Sequence, residues 1–155
     1  FALSYTYTAL TPVSAERCQV KIATGLAKTG ANEGDTVPLS VTLENRARAG
    51  HGMAVAVVGL PAGLKVPTDV KQLTELREKG VISYFELKGA RELVLYWREL
   101  APEQKIALSL DLVCDVPGEY RGPASRAYLY YDADHKHWVP PLAITIAPKE
   151  YVEPH

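Results

Sequence analysis

The sequence predicts a mainly β chain, an antiparallel two-sheet β-sandwich carrying one short surface α-helix, on three observations. Short stretches of period-two apolar alternation recur along it, Val37-Leu39-Val41-Leu43 and Leu108-Leu110-Leu112-Cys114 being the clearest. Clusters of Gly, Pro, Asn and Asp punctuate these stretches at the spacing typical of sandwiches. Only one segment, Thr68 to Lys79, carries a helical pattern. At 155 residues the chain suits one domain, set at residues 1–147, followed by a polar tail over 148–155 that frays.

Phe1 to Thr8 alternates and is rich in Tyr and Thr, as a half-buried strand should be, and Pro12 ends it. A second strand over Cys18 to Thr24 runs into the Gly, Asn and Asp cluster of Lys28 to Asp35, which reads as a turn. Val37 to Leu43 then alternates with polar partners, so one of its faces is wet. Met53 to Val58 is nearly continuous in apolar residues, the signature of a strand covered on both faces, and Gly59-Leu60-Pro61-Ala62-Gly63 closes it.

The helix follows, with Thr68 as N-cap, Asp69 in the first turn and Gly80 just past the end. Val70, Leu73 and Leu76 form a narrow apolar stripe, so the opposite face should stand in water. Strands are predicted at Val81 to Leu87, Glu92 to Trp97, Lys105 to Cys114 and Ala124 to Tyr131. A last strand, Trp138 to Ile146, is broken by Pro140-Pro141, which suits an edge. Val55, Val57, Leu95, Leu110, Leu112 and Tyr128 are expected to be mostly buried.

Composition narrows the function classes. With 17 basic and 18 acidic residues interspersed and a net charge of −1, there is no electrostatic footprint for nucleic acid or an anionic membrane. No stretch approaches the roughly 18 consecutive apolar residues of a membrane span. The chain begins at Phe1 and its only Met is Met53, so it reads as a piece of a longer polypeptide.

Reactive clusters are scarce. Cys18 and Cys114 lack C-x-x-C spacing, and each continues an alternating apolar set, which leaves two readings open: inert buried thiols or an inter-sheet disulfide. Asp132, Asp134, His135 and His137 crowd a hairpin tip, where residues two apart on a strand share a face, but solvated tips seldom hold the geometry a metal needs, so no metal is expected. There is no Gly-x-Ser-x-Gly elbow and no phosphate-binding loop, so neither catalysis nor a cofactor is expected. Tyr96-Trp97 with Tyr128, Tyr130 and Tyr131 suggests a sugar platform, but alternation should divide these rings between two faces.

Read in order, Phe1-Ala2-Leu3, Met53-Ala54-Val55 with Gly63-Leu64, Leu95-Tyr96, Asp115-Val116-Pro117 and Tyr128 with Tyr130-Tyr131 resemble the C-terminal receptor-binding domain of the alpha-2-macroglobulin family, most closely its bacterial members. The resemblance spans nearly the whole chain and implies an immunoglobulin-like, macroglobulin-type sandwich. It also implies a non-catalytic, extracytoplasmic interaction domain of a protease trap (an endopeptidase inhibitor), which docks on neighbouring domains of its parent and is exposed on activation. Target proteases would be met through the parent.

The same resemblance makes the helix face, with Lys71, Glu75, Glu78 and Lys79, the expected contact surface for neighbouring domains, a receptor or another protein. In vertebrate members receptor binding rests on two lysines four apart on the helix; Lys71 stands at the second, Pro67 at the first, and Lys65 lies nearby. The family's domain also bridges an early Cys to one at the extreme C-terminus, which this sequence lacks, so a bridged Cys18 would need Cys114. The extracytoplasmic setting favours that bridge. The reactive Gly-Cys-Gly-Glu-Gln motif of the family is absent and would belong to a preceding domain. The alternative function is an immunoglobulin-like adhesion or carbohydrate-binding module of a secreted protein.

Overall fold

A computed structural model describes residues 12, 14–15, 18–67, 70–89 and 91–148. The predicted opening strand, Phe1 to Thr8, and most of the predicted tail lie outside the described residues. Among the described residues twelve strands and one α-helix build the fold: β1 (Val20–Leu26), β2 (Gly30–Asn32), β3 (Thr36–Asn45), β4 (Ala54–Gly59), β5 (Leu64–Lys65), α1 (Lys71–Glu78), β6 (Tyr84–Lys88), β7 (Glu92–Trp97), β8 (Lys105–Cys114), β9 (Gly118–Arg121), β10 (Ser125–Leu129), β11 (His137–Val139) and β12 (Ala143–Ala147).

Two antiparallel sheets form the sandwich, one in the order β1-β3-β8-β5 and the other β11-β10-β4-β7-β6. A third, small sheet, β2-β12-β9, was not anticipated; in it β12 runs parallel to β2 and antiparallel to β9. Pro140-Pro141 divides the predicted last strand in two. Its first part, β11, is an edge of the five-stranded sheet, and its second part, β12, is the centre of the small one.

Alternation explains the core. In β3 the residues Val37, Leu39, Val41 and Leu43 are buried; opposite the first three on β8 so are Leu112, Leu110 and Leu108, and Cys114, at the end of β8, is buried across from Leu64 of β5. They meet Ala54, Ala56 and Val58 of β4, Leu93, Leu95 and Trp97 of β7, and Ile144 and Ile146 of β12 in one cluster. Pro38 is tolerated near the start of β3 because its carbonyl faces Ala27, leaving the missing N–H on the β1 side near that strand's end.

β4 is buried at every position, as its apolar run predicts. Its two faces differ. Ala54, Ala56 and Val58 turn to the main core, whereas Val55 and Val57 join Val94 in a separate cluster on the other side of the sheet, flanked by the half-buried Tyr96 and Tyr128. Val55 and Val57 are therefore buried but not in the inter-sheet core, and Tyr128 is only half-buried.

The exit from β4 depends on a glycine. A Cβ on Gly59 would lie 1.9 Å from the Pro123 carbonyl oxygen, and the Gly59 N–H donates to the buried Ser125 hydroxyl at 2.9 Å. The fully buried Asn45, at the end of β3, donates to the Ala49 and Ala101 carbonyls and accepts from the Ala47 N–H, so its amide organises the chain leading to β4.

Candidate functional site

Helix α1 is shorter than predicted. Its expected N-cap, Thr68, and Asp69 lie outside the described residues, and the helix starts at Lys71 after Val70, whose backbone is left-handed at φ 46°. Thr74 returns both its N–H and its hydroxyl to the Val70 carbonyl. The C-terminus follows the expected glycine rule: Gly80 takes φ +79°, its N–H reaches the Arg77 carbonyl, and the Val81 N–H reaches that of Leu76. This is a Schellman stop, with Leu76 and Val81 both packed on the core beside it.

The stripe behaves as predicted, with Leu73 fully buried and Val70 and Leu76 partly so. Gln72, unnoticed in the sequence, adds a polar anchor. β5 covers β8 only at Val113 and Cys114, which leaves the neighbouring edge of β8 without a strand among the described residues. Gln72 fills this gap: its Oε1 accepts from the Asp111 N–H at 2.7 Å and its Nε2 donates to the Asp111 carbonyl at 3.1 Å. The side-chain amide thus stands in for one peptide of a missing strand.

Lys71, Glu75, Glu78 and Lys79 are all exposed, as is Arg77, whose guanidinium lies 5.8 Å from the Phe85 ring centroid on β6. The face is mixed in charge. Pro67 precedes the helix, and Lys65 on β5 pairs with Asp115 at 3.3 Å.

The Cys18–Cys114 bridge is not formed, and that expectation is corrected. Both cysteines are free and buried. The strand register gives the reason. Cys18 precedes β1 at the end where Val20 faces Asn45 and Glu44 faces Lys105, whereas Cys114 ends β8 at the opposite end of the strands. The length of β8 separates them, about 30 Å at 3.3 Å per residue, whereas a disulfide needs Cα atoms within about 7 Å. Alternation correctly turned both side chains inward but carries no information on position along the strands. Burial pushes both thiols up from their ordinary pKa, so both stay protonated.

The hairpin tip does not converge on a common point. Asp132 and His135 pair with each other at 2.7 Å across the turn that follows Asp132. His137 points elsewhere: its Nδ1 accepts the Ile22 N–H of β1 at 3.1 Å, linking the edge strands of the two main sheets. Burial, and the positive charges of Arg46 and Lys21, hold its pKa below the usual histidine value. The ring is neutral, with its proton on Nε2.

The predicted division of the aromatic rings between two faces holds for Tyr96 and Trp97, but the tyrosines gather on one side. Trp97 turns inward and donates its indole N–H to the Val81 carbonyl at 2.7 Å. Tyr96 and Tyr128 share the outer face of the five-stranded sheet, on either side of Val55. The predicted strand ends at Leu129, and a 3-10 turn over Tyr130–Asp132 breaks the alternation. The Tyr130 N–H bonds to the Met53 carbonyl, which brings Tyr130 and Tyr131 to the same rim as Tyr96 and Tyr84.

No family model matches the chain, and no curated protein matches it. Solved structures do. The native conformation of Escherichia coli alpha-2-macroglobulin matches at 16% identity over 88% of this chain with a TM-score of 0.68. Salmonella alpha-2-macroglobulin reacted with methylamine matches at 18% identity over 88% with a TM-score of 0.64. The chain covers 10% of each of these molecules. A fragment of the native Escherichia coli protein, from its domain MG7 to the C-terminus, matches at 16% identity and a TM-score of 0.62, with 25% of the fragment covered. The chain therefore has the fold of a segment of the bacterial alpha-2-macroglobulins and spans about a tenth of their length.

Proposed function

We propose that the chain is a C-terminal, non-catalytic interaction domain of an alpha-2-macroglobulin-like protease trap of bacterial type, acting outside the cytoplasm. The likeness in fold over 88% of the chain to molecules about ten times longer carries the reading. In it the domain performs no chemistry. Its α1 face, with Lys71, Glu75, Glu78 and Lys79, docks on neighbouring domains of the parent and becomes accessible once a protease has cleaved the parent. Among the described residues no helix is long and apolar enough to cross a membrane.

The test places a single cysteine on the helix face, Glu75→Cys, in the intact parent. A maleimide reagent then reads its accessibility before and after the parent meets an excess of trypsin. Peptide mass spectrometry reads the label at position 75 alone, apart from any cysteine elsewhere in the parent; Cys18 and Cys114 of this chain are buried. Labelling that rises on cleavage supports the reading, and it should rise without cleavage in the Lys71→Glu, Lys79→Glu double variant. Equal labelling before and after would defeat it, as would a parent that leaves trypsin unhindered on large substrates.

A further inference from the structure

Three of the large apolar or aromatic side chains most exposed among the described residues stand together: Tyr84 at 54%, Tyr130 at 53% and Tyr131 at 86%. With Met53, Tyr96 and Arg98 they line one depression on the outer face of the five-stranded sheet. Elsewhere on this face the apolar centre has a roof. Arg126 lies over Trp138 and is paired with Glu92 at 3.1 Å, and Lys136 lies over Tyr128. Towards β6 the roof stops, and the rings face water.

We propose that this depression docks a protein segment that presents a carboxylate beside an apolar or aromatic side chain. Charge supplies the first reason. Ser83 accepts the Arg98 backbone N–H at 3.0 Å and fixes the base of that residue, while the guanidinium has no ion-pair partner among the described residues and stands exposed beside the rings. The neighbouring acid, Glu86, is engaged by the Tyr96 hydroxyl at 3.4 Å. An unpaired guanidinium at an aromatic rim selects a carboxylate, which it can hold through two parallel hydrogen bonds. Composition supplies the second, since Tyr, Met and Arg are the types concentrated at the centres of protein interfaces.

Ring geometry argues against a sugar as the occupant. The Tyr130 and Tyr131 rings stand at 85° to each other with centroids 5.2 Å apart, and the Tyr84 and Tyr96 rings at 42°. A pyranose stacks on a flat platform, and tilted rings instead form a notch that receives a side chain edge-on. This surface shares no residue with the α1 face, which it adjoins through Phe85, and does not depend on which larger protein carries the chain.

The test pans a random dodecapeptide library against the 155-residue chain at low salt and titrates individual synthetic binders by fluorescence anisotropy. Enriched peptides should carry Asp or Glu next to an aromatic or aliphatic residue. Arg98→Ala and Tyr131→Ala should each weaken them about tenfold or more, Arg98→Lys less so. Both side chains are exposed, so the variants should keep the wild-type thermal midpoint, and Lys71→Glu, Lys79→Glu should bind as wild type. The proposal is overturned if no binder emerges, if binders lack a carboxylate, or if they ignore both alanine variants. It is equally overturned if an oligosaccharide array yields ligands that depend on Tyr131 while peptides do not.

Discussion

Replacing Gln72 by Ala removes the two hydrogen bonds that tie α1 to the bare edge of β8. Each such bond contributes about 0.5–1.5 kcal/mol net. Asp111 is exposed, so water can reach its peptide once the glutamine is gone. The lower half of the range applies, and the loss should be about 1–2 kcal/mol, or a fall of about 2–8 °C in thermal midpoint for a domain of this size. Leu73→Ala, which opens a cavity at a fully buried position, should cost more, about 2–5 kcal/mol. Circular dichroism gives the midpoints, and hydrogen exchange gives the local reading: the Asp111 amide should lose protection in Gln72→Ala beyond the global change. Gln72→Glu keeps the acceptor for that amide and should retain its protection while losing the bond to the Asp111 carbonyl. An Asp111 amide that exchanges equally fast in wild type and Gln72→Ala would refute the strand-mimicking role.

Gly59→Ala should be among the most damaging single-methyl changes, because the added carbon meets backbone at 1.9 Å; a loss of about 3 kcal/mol or more in urea unfolding is expected, against almost none for Gly52→Ala, which has open space. Stability should fall with acid through His137: its folded pKa lies below that of the unfolded chain, so its contribution is complete above about pH 6.5 and is lost as pH falls through that value towards the folded one. His137→Asn keeps a non-titrating acceptor for the Ile22 N–H, so its unfolding midpoint should change less than that of wild type between about pH 7.5 and about pH 5, and equal changes would contradict this. Native protein should resist alkylation at Cys18 and Cys114, and both should react after denaturation without reductant; mass spectrometry showing a mass two hydrogens lower would reveal a bridge and contradict the register.

β7 and β8 were legible to the residue, Glu92–Trp97 and Lys105–Cys114, because each lies along one long antiparallel neighbour, β4 and β3 respectively, and turns one face to the core over nearly its whole length. β2, β5 and β9 were not. Gly30–Asn32 has turn composition and becomes a strand only because β12 pairs with it, and Leu64–Lys65 is too short to show a period. The helix face was legible from the spacing of Val70, Leu73 and Leu76. Gln72 was not, since a glutamine on a helix reads as solvated and its partner lies 39 residues away. The aromatic rim was missed because the pattern through Tyr130 and Tyr131 looks like continued strand. Only the bond from Tyr130 to Met53, a tertiary contact, turns the chain there.

The parallel pairing of Thr145–Ala147 with Gly30–Asn32 joins segments from opposite ends of the described chain. β12 can form early against nearby β9, but β2 has no other strand partner among the described residues, and parallel pairing across so long a loop pays its closure entropy before any contact is gained. The small sheet should therefore assemble late, on the millisecond-to-second scale of non-local β topologies, and during synthesis it must wait until β12 has left the ribosome. Until then Ile144 and Ile146 are missing from the core and the main sheets stand partly open. A nascent chain of this kind needs protection from edge-to-edge association for the whole interval, so its yield in cells should depend on chaperones more than its final stability would suggest.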